Sequence, residues 1–263
     1  RSTLFPYTTL FRSSTEMLID THCHLHDPKF FSPDEATAVL QRATYQNVTK
    51  IIVIGTSLQD SLTARDFAIT HNSVYWTFGI HPNEWQTWSS TEFNRVQPFS
   101  SLMPIAIGEV GLDYHYSKQN RKTQIKLFNE MLELATKHQL PVSFHVREAF
   151  DDFFPIINNF SHLKGVVHSF SDNKKILKRI LTETDFYIGI NGMATYSTLP
   201  LPPLEKILLE TDAPFLTPKP LRGTKNEPTF IPHIANWLVN SLHTNFETIA
   251  QATTTNAQQL FHF

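Results

Sequence analysis

Eight short segments that are apolar on both faces recur along the chain. They lie at residues 17–20, 50–55, 74–79, 104–108, 141–145, 165–168, 186–190 and 207–210. Strands of this kind are typical of a parallel sheet, because a sheet with one wet face would alternate polar and apolar residues. The pattern therefore predicts a parallel sheet that is covered on both sides.

Amphipathic helical segments separate most of these strands. Residues 33–46 follow Ser32, a favourable N-cap, and place Pro33 at the first helical position. The other predicted helices lie at residues 60–70, 121–139, 149–158, 174–181, 232–242 and 246–260. This alternation favours an α/β fold, a (β/α)8 TIM barrel, with an open doubly wound sheet as the alternative. No Gly-x-Gly-x-x-Gly follows the first strand, which weakens a dinucleotide-binding form of that alternative.

Ionisable side chains collect where the strands end. His22 and His24 are two residues apart, so on a strand they project from one face while Cys23 faces the other way. The candidates at later strand ends are His81, Glu109, Asp113, His145, Arg147, His168, Glu210 and Asp212. The carboxyl ends of barrel strands meet at one mouth, where active sites of that fold lie. Imidazoles and carboxylates at this mouth are a ligand set for Zn²⁺, Mn²⁺, Co²⁺ or Fe²⁺, although an isolated His-x-His pair is also a common polar exit from a sheet.

Length and charge limit the remaining possibilities. A chain of 263 residues can bury one large core or two smaller ones. The formal net charge of −2 argues against a protein held on nucleic acid by its overall charge, so any polyanion site must be local. No apolar run approaches the ~20 residues that span a bilayer, so we expect no membrane partner. The single cysteine is compatible with the cytoplasm, the location we expect.

The first sixteen residues differ from the rest of the chain. Residues 1–13 show no periodicity that leads into Met17, and in frame they match what a common sequencing-library adapter would encode if it were translated. We therefore expect residues 1–16 to be a non-native N-terminal artefact and Met17 to be the true start. A genuine N-terminal extension is the alternative. Residues 17–263 are expected to form a single barrel.

Seven ordered motifs carry a resemblance that covers nearly everything from Met17 onward. They are Asp-Thr-His-Cys-His at 20–24, Gly-Ile-His-Pro at 79–82, Gly-Glu-Val-Gly-Leu-Asp-Tyr at 108–114, His-Val-Arg-Glu-Ala at 145–149, His-Ser-Phe-Ser at 168–171, Glu-Thr-Asp-Ala-Pro at 210–214 and Arg-Gly-Thr-Lys-Asn-Glu-Pro at 222–228. In these motifs the chain resembles the TatD family of metal-dependent deoxyribonucleases. That resemblance implies a TIM barrel with one or two divalent ions and hydrolase activity.

The resemblance also implies a set of six metal ligands. They are His22, His24, Glu109, His145, His168 and Asp212. In the family pattern His22, His24 and Asp212 would hold one ion and His145 and His168 the other, with Glu109 between them. We expect two divalent cations, of which Zn²⁺, Mg²⁺ and Mn²⁺ are the candidates.

One stretch departs from the family pattern. The family usually carries a helix between the seventh and eighth strands, whereas this chain places Pro200, Pro202 and Pro203 there. Three prolines in four residues rule out a regular helix. We expect a shortened, extended connection between strands 7 and 8, which affects barrel packing rather than the ligands.

The expected function is hydrolysis of DNA phosphodiester bonds, by exonucleolytic attack on single strands. Two ions would activate a shared water, and Asp212 would orient and deprotonate that water. Glu109 would bridge the two ions. Arg147 could hold a phosphate bidentately, unless it forms a surface ion pair with Glu148 or Asp151.

The remaining expected substrate contacts are His81, Arg222 and Lys225, the last two from a basic loop that also contains Lys219. One alternative function is a two-metal hydrolase of a carboxylic ester, an amide or an aminoacyl ester. A non-catalytic binding protein is the more distant one. Cys23 is a poor candidate nucleophile, and the oligomeric state stays open, with a monomer among the possibilities.

Overall fold

The computed structural model describes residues 16–115 and 120–263. Residues 1–15 lie outside these described residues. The prediction that residues 1–16 are non-native therefore stays a prediction. The strands are β1 (Leu18–Cys23), β2 (Val48–Ile54), β3 (Val74–Phe78), β4 (Ala106–Asp113), β5 (Val142–Arg147), β6 (Gly165–Val167), β7 (Tyr187–Ile190) and β8 (Ile207–Leu209). Each matches one of the eight predicted segments.

Every neighbouring pair of strands is parallel, and the spatial order follows the chain order from β1 to β8. The contacts between β8 and β1 that close the barrel include hydrogen bonds to the side chain of Asp20. The buried carboxylate of Asp20 accepts hydrogen bonds from the Thr211 backbone N–H at 2.9 Å and from its hydroxyl at 2.6 Å. Next to it, the backbone N–H of Asp212 donates to the carbonyl of His22 at 2.8 Å. The predicted (β/α)8 barrel is thus confirmed.

Three strands run further than predicted. The segments were predicted to stop near Asp20, Gly108 and His145, but β1, β4 and β5 continue into polar residues. The ladder persists because the parallel pairing continues, with Gly111 opposite His145 and Asp113 opposite Arg147. His22, Glu109 and Asp113 therefore lie within strands, not after them. The strand pairing shifts register between Asp20 and Cys23 in β1 and between Ile107 and Val110 in β4, at the positions of His22 and Glu109.

The α-helices are α1 (Pro33–Tyr45), α2 (Leu58–Ile69), α3 (Ser90–Val96), α4 (Arg121–His138), α5 (Phe150–Ile157), α6 (Lys174–Glu183), α7 (Ile231–Ser241) and α8 (Phe246–Phe261). Helix α1 begins as expected, with the Ser32 hydroxyl accepting from the backbone N–H of Glu35. Helix α3 was not predicted. Among the described residues no helix is long and apolar enough to cross a membrane.

The connection between β7 and β8 contains no α-helix. Residues 191–206 hold only two short 3₁₀ turns, Gly192–Tyr196 and Leu204–Lys206, which confirms the shortened connection. Helix α8 packs against this region and against β1 and β8. Its buried Asn256 donates to the carbonyls of Leu204 and Ile207 at 2.9 and 2.8 Å. These bonds satisfy backbone acceptors at the start of β8.

Candidate metal centre

A cavity of about 650 Å³ opens at the carboxyl ends of the strands. Seven of the predicted site residues line it, namely His24, His81, Glu109, His145, Arg147, His168 and Asp212. His22 lies beneath them and is 1% exposed. The strand ends thus bring the predicted ligands together, as the barrel geometry requires.

His22, His24 and Asp212 form the first group of ligand atoms. The Oδ1 atom of Asp212 lies 3.3 Å from Nε2 of His24 and 3.5 Å from Nε2 of His22. Asp212 reaches this position with a left-handed backbone, φ 57°, which aspartate tolerates better than most residues. These are the three residues expected to share one ion.

Glu109 lies between the histidines. Its Oε2 is 3.5 Å from Nε2 of His22, and its Oε1 is 2.7 Å from Nδ1 of His145 and 3.8 Å from Nε2 of His168. Burial opposes its charge, but His81, His168 and the other surrounding histidines hold the pKa of Glu109 well below its ordinary value. The carboxylate of Glu109 is therefore ionised at neutral pH.

His145 is held by carboxylates at both ring nitrogens. Nδ1 faces Glu109, and Nε2 lies 2.9 Å from Oδ2 of Asp113. Both carboxylates can only accept hydrogen bonds. Burial opposes the charged ring, but its hydrogen bonds to Asp113 and Glu109 raise the pKa of His145 to about 9. An ion at Nδ1 would replace one proton and leave Asp113 to orient the ring.

His168 has a corresponding outer partner. Nδ1 lies 3.0 Å from Oε1 of Glu210, whereas Nε2 faces Glu109 and Asp212 at 3.8 and 3.9 Å. Burial again opposes the charge, but the carboxylates of Glu210 and Glu109 raise the pKa of His168 to about 10. Glu210 is itself held by the Ser169 backbone N–H at 2.7 Å.

A buried atom without a hydrogen-bond partner also indicates that the six side chains suit divalent ions. The Nε2 atom of His22 is buried without a hydrogen-bond partner, although it lies between the carboxylates of Glu109 and Asp212. Leaving a buried polar atom unpaired is costly, and a cation coordinated there would satisfy it. Neutral imidazole and ionised carboxylate are the donors that Zn²⁺ and Mn²⁺ accept.

The ligand atoms also form other close groups. His22, Glu109 and His168 are one such group, and His81, Asp113 and His145 are another. Within each group the ligand atoms lie within 4.8 Å of one another. The expected sharing of the second ion by His145 and His168 remains a prediction, because none of the close groups found among the described residues contains both.

His81 differs from the other histidines at the rim. Its Nδ1 accepts a hydrogen bond from the backbone N–H of Asn83 at 3.1 Å. Burial and the nearby charge of His145 lower the pKa of His81 to about 4, so the ring is neutral at pH 7. A neutral ring that accepts at Nδ1 carries its proton at Nε2. His81 lines the cavity, and its Nε2 lies 3.3 Å from Nδ1 of His145 and 3.7 Å from Oε1 of Glu109.

The cations divide into two sets. Arg147 lines the cavity together with Lys29, which sequence reasoning missed because no pattern marks it. Arg222 and Lys225 are not among the cavity-lining residues. The Lys225 ammonium lies 2.6 Å from Glu35, and the Arg222 guanidinium lies 5.7 Å from the centre of the Tyr196 ring.

Two further features bear on the predictions. Cys23 is buried, its sulfur lies 3.7 Å from the carbonyl of Ile52, and burial raises the pKa of its thiol. This agrees with its expected exclusion as a nucleophile. Sequence reasoning missed the buried His26, whose Nε2 lies 2.9 Å from Asp60 at the edge of the cavity.

Comparison with known proteins identifies related chains. A family model described as TatD related DNase matches residues 19–262. An uncharacterized metal-dependent hydrolase, YabD of Bacillus subtilis, is 30% identical over 255 residues, which is 93% of this chain and 99% of YabD. A protein of Pantoea ananatis named 3'-5' ssDNA/RNA exonuclease TatD is 32% identical over 260 residues, with 93% and 99% covered.

Solved structures show the same barrel. The TatD homolog YJJV of Escherichia coli superposes with a TM-score of 0.84 at 30% identity, over 95% of this chain and 99% of that one. A TatD family hydrolase of Entamoeba histolytica gives a TM-score of 0.82 at 22% identity, with 94% and 98% covered. The second likeness shows the fold alone.

Proposed function

The chain belongs to the TatD-related DNase family of metal-dependent hydrolases, and on that premise we propose that it cleaves phosphodiester bonds at the ends of single-stranded DNA. The observation that carries the proposal is the position of Glu109, whose two oxygens face His22 on one side and His145 on the other. One carboxylate with ligands on both sides suits a pair of divalent ions. The names of the Pantoea relatives support a single-stranded substrate and exonucleolytic attack.

Two divalent cations, Zn²⁺, Mg²⁺ or Mn²⁺, are proposed as cofactors. His22, His24 and Asp212 would hold one, His145 and His168 the other, and Glu109 both. When bound, the ions would lower the pKa of water and polarise a phosphoryl oxygen. Asp113 and Glu210 would fix the rings of His145 and His168 from behind.

In this proposal, different side chains of the cavity activate the water and bind the phosphate. Asp212 orients the attacking water and takes its proton on a carboxylate oxygen. As the water oxygen bonds to phosphorus, the bond to the leaving oxygen breaks, and the proton on Asp212 is available to that oxygen. Arg147 and the Nε2–H of His81 donate to the non-bridging phosphate oxygens, where negative charge increases.

The cavity dimensions favour a strand end. A space of about 650 Å³ is of the size that holds a small molecule or one to two nucleotides, not a duplex in mid-strand. Lys29 and Arg147 line this space, so they are proposed to contact the nearest phosphates. Arg222 and Lys225 stay proposed contacts for the part of the strand that lies outside the cavity. The cytoplasm stays the proposed location.

The test is an activity screen of metal-stripped and reloaded protein. Linear single strands, circular single strands, duplexes and a chromogenic ester are compared, each with Zn²⁺, Mg²⁺ or Mn²⁺. We expect metal-dependent cleavage that is fastest on linear single strands. Equal cleavage of closed circles would overturn attack at strand ends, and turnover of the ester without cleavage of DNA would favour the ester or amide alternative.

A further inference from the structure

Two aromatic side chains stand at the wall of the cavity. Phe215 and Phe30 both line it, and their ring centres are 5.2 Å apart at an angle of 80°. Phe215 leaves 47% of its surface exposed. An exposed phenylalanine that lines a functional cavity suggests a contact that is completed by substrate.

Phe215 is close to the reacting centre. It follows Asp212 by three residues, and its backbone N–H donates to the Asp212 carbonyl at 2.9 Å. Its ring centre is 6.2 Å from that of His24, at 66°. The ring planes of His24 and Phe30 are steeply inclined to that of Phe215. Among the described residues no ring therefore stacks parallel on Phe215.

The backbone carbonyls of Phe30 and Phe215 each accept a hydrogen bond from a side chain. The fully buried side chain of Asn226 donates to the carbonyl of Phe215 at 2.6 Å and to that of Thr211 at 2.8 Å. The ammonium of Lys225 donates to the carbonyl of Phe30 at 2.6 Å. A rigid aromatic with two side-chain torsions loses little entropy when a ligand packs on it.

We propose that Phe215, braced edge-on by Phe30, is a stacking platform for one unpaired base of the nucleotide next to the scissile bond. The inference rests on the proposed nuclease function and extends it to base recognition. Every nucleobase has a flat π face, so stacking on Phe215 accepts any of the four bases. A base inside a duplex has both faces covered, so the platform selects unpaired ends.

The surroundings favour a nucleotide over an apolar acyl group. Lys29 and Arg147 line the same cavity as the two rings, and Asp27 and Asn83 add polar groups. A flat apolar surface beside cationic side chains matches a base joined to a phosphate. A hydrophobic acyl group would need an apolar enclosure without these cations.

The experiment compares Phe215→Ala and Phe215→Tyr with wild-type protein loaded with metal. The substrates are linear single strands that carry either normal nucleotides or abasic nucleotides at the cleaved end. Affinity for a strand with phosphorothioate end linkages, measured by fluorescence anisotropy, gives a readout besides turnover. Tyr45→Leu is the matched control, because Tyr45 is an exposed aromatic residue on α1 that does not line the cavity.

Phe215→Ala should raise KM and weaken affinity for normal ends by about 5-fold to 150-fold, with kcat changed much less, because stacking acts equally on ground state and transition state. Phe215→Tyr should restore both values. On abasic ends wild-type protein and Phe215→Ala should be alike, and Tyr45→Leu should match wild type throughout.

Equal losses by Phe215→Ala on normal and abasic ends would overturn the stacking role, as would no loss on either, while leaving the nuclease function intact. If wild-type protein with bound metal cleaves neither kind of strand, the proposed function itself fails. Metal content measured in every variant separates loss of stacking from loss of the centre.

Discussion

The carboxylate of Glu210 lies 3.0 Å from Nδ1 of His168, on the opposite side of the ring from the ligand cluster. Glu210 is fully buried and accepts hydrogen bonds from the backbone N–H of Ser169 and the side-chain amide of Asn191. Gly189 leaves room for it, since a Cβ there would lie 2.3 Å from Glu210 Oε2. The fold therefore holds a buried carboxylate behind His168, a proposed metal ligand.

Glu210→Gln should keep the shape of this contact but remove its charge. Outer partners of this kind typically contribute 10-fold to 100-fold in metal affinity or activity, so we expect a loss of about that size. Titration with metal followed by mass spectrometry of bound ions measures it. Glu183→Gln on the outer surface of α6 is the control. Unchanged metal affinity in Glu210→Gln would show that Glu210 does not support the centre.

Glu109→Ala should reduce activity more than alanine at any single histidine ligand. Its two oxygens face ligands on both sides, so its loss should affect both ions, whereas each histidine should affect one. The number of ions retained, compared with the rate in the same preparations, decides the point. If Glu109→Ala keeps two ions, the bridging role is wrong.

Metal binding should release protons. His145 and His168 have pKa values of about 9 and 10 in the metal-free protein, so both carry a proton at pH 7.5 that an ion must displace. Calorimetry in buffers of different ionisation enthalpy should report about two protons released. Binding without proton release would contradict their assignment as ligands.

The same shifts predict the pH dependence of stability without metal. Both folded pKa values lie above the ordinary value of 6.5, so these histidines stabilise the folded protein below pH 6.5. That stabilisation should fall as the pH rises above 6.5 and be gone above about 10. Thermal unfolding of stripped protein across this range checks the sign.

Arg147→Ala should weaken DNA binding and lessen its salt dependence. Each phosphate contact with a single strand contributes about −0.7 to the slope of log affinity against log salt, so the slope should lose about that amount. Arg179→Ala is the matched control, because Arg179 pairs with Glu183 on the outside of the barrel. An unchanged slope and rate in Arg147→Ala would remove it from the phosphate site.

The strands could be predicted because their signal is local. Two-sided apolar runs and helical periodicity extend over a few residues, and each of the eight strands overlaps a predicted segment. Helix α3 escaped prediction because none of its residues is buried, so no apolar face marks it. The closure of the barrel by Asp20 and Thr211 joins residues 191 positions apart, which no local pattern can show.

For the candidate site, the sequence predicted the ligand residues but not the contacts between them. The ligand types stood at strand ends, and the fold brings them together. Which carboxylate supports which histidine could not be read from the sequence, because that depends on distances across the barrel. Lys29 and Phe215 are single residues without a pattern, and only the cavity distinguishes them from other surface residues.

We propose that the six candidate ligands at the mouth of the barrel form a metal-dependent hydrolytic site in which Asp212 activates water. The most direct measurement is the metal content and the rate of single-stranded DNA cleavage in the same preparations of wild type and Asp212→Asn, with stripped wild type alongside. We predict cleavage by loaded wild type, none by stripped wild type, and almost none by Asp212→Asn although it keeps much of its metal. Near-wild-type cleavage by Asp212→Asn, or equal cleavage with and without metal, would contradict the claim.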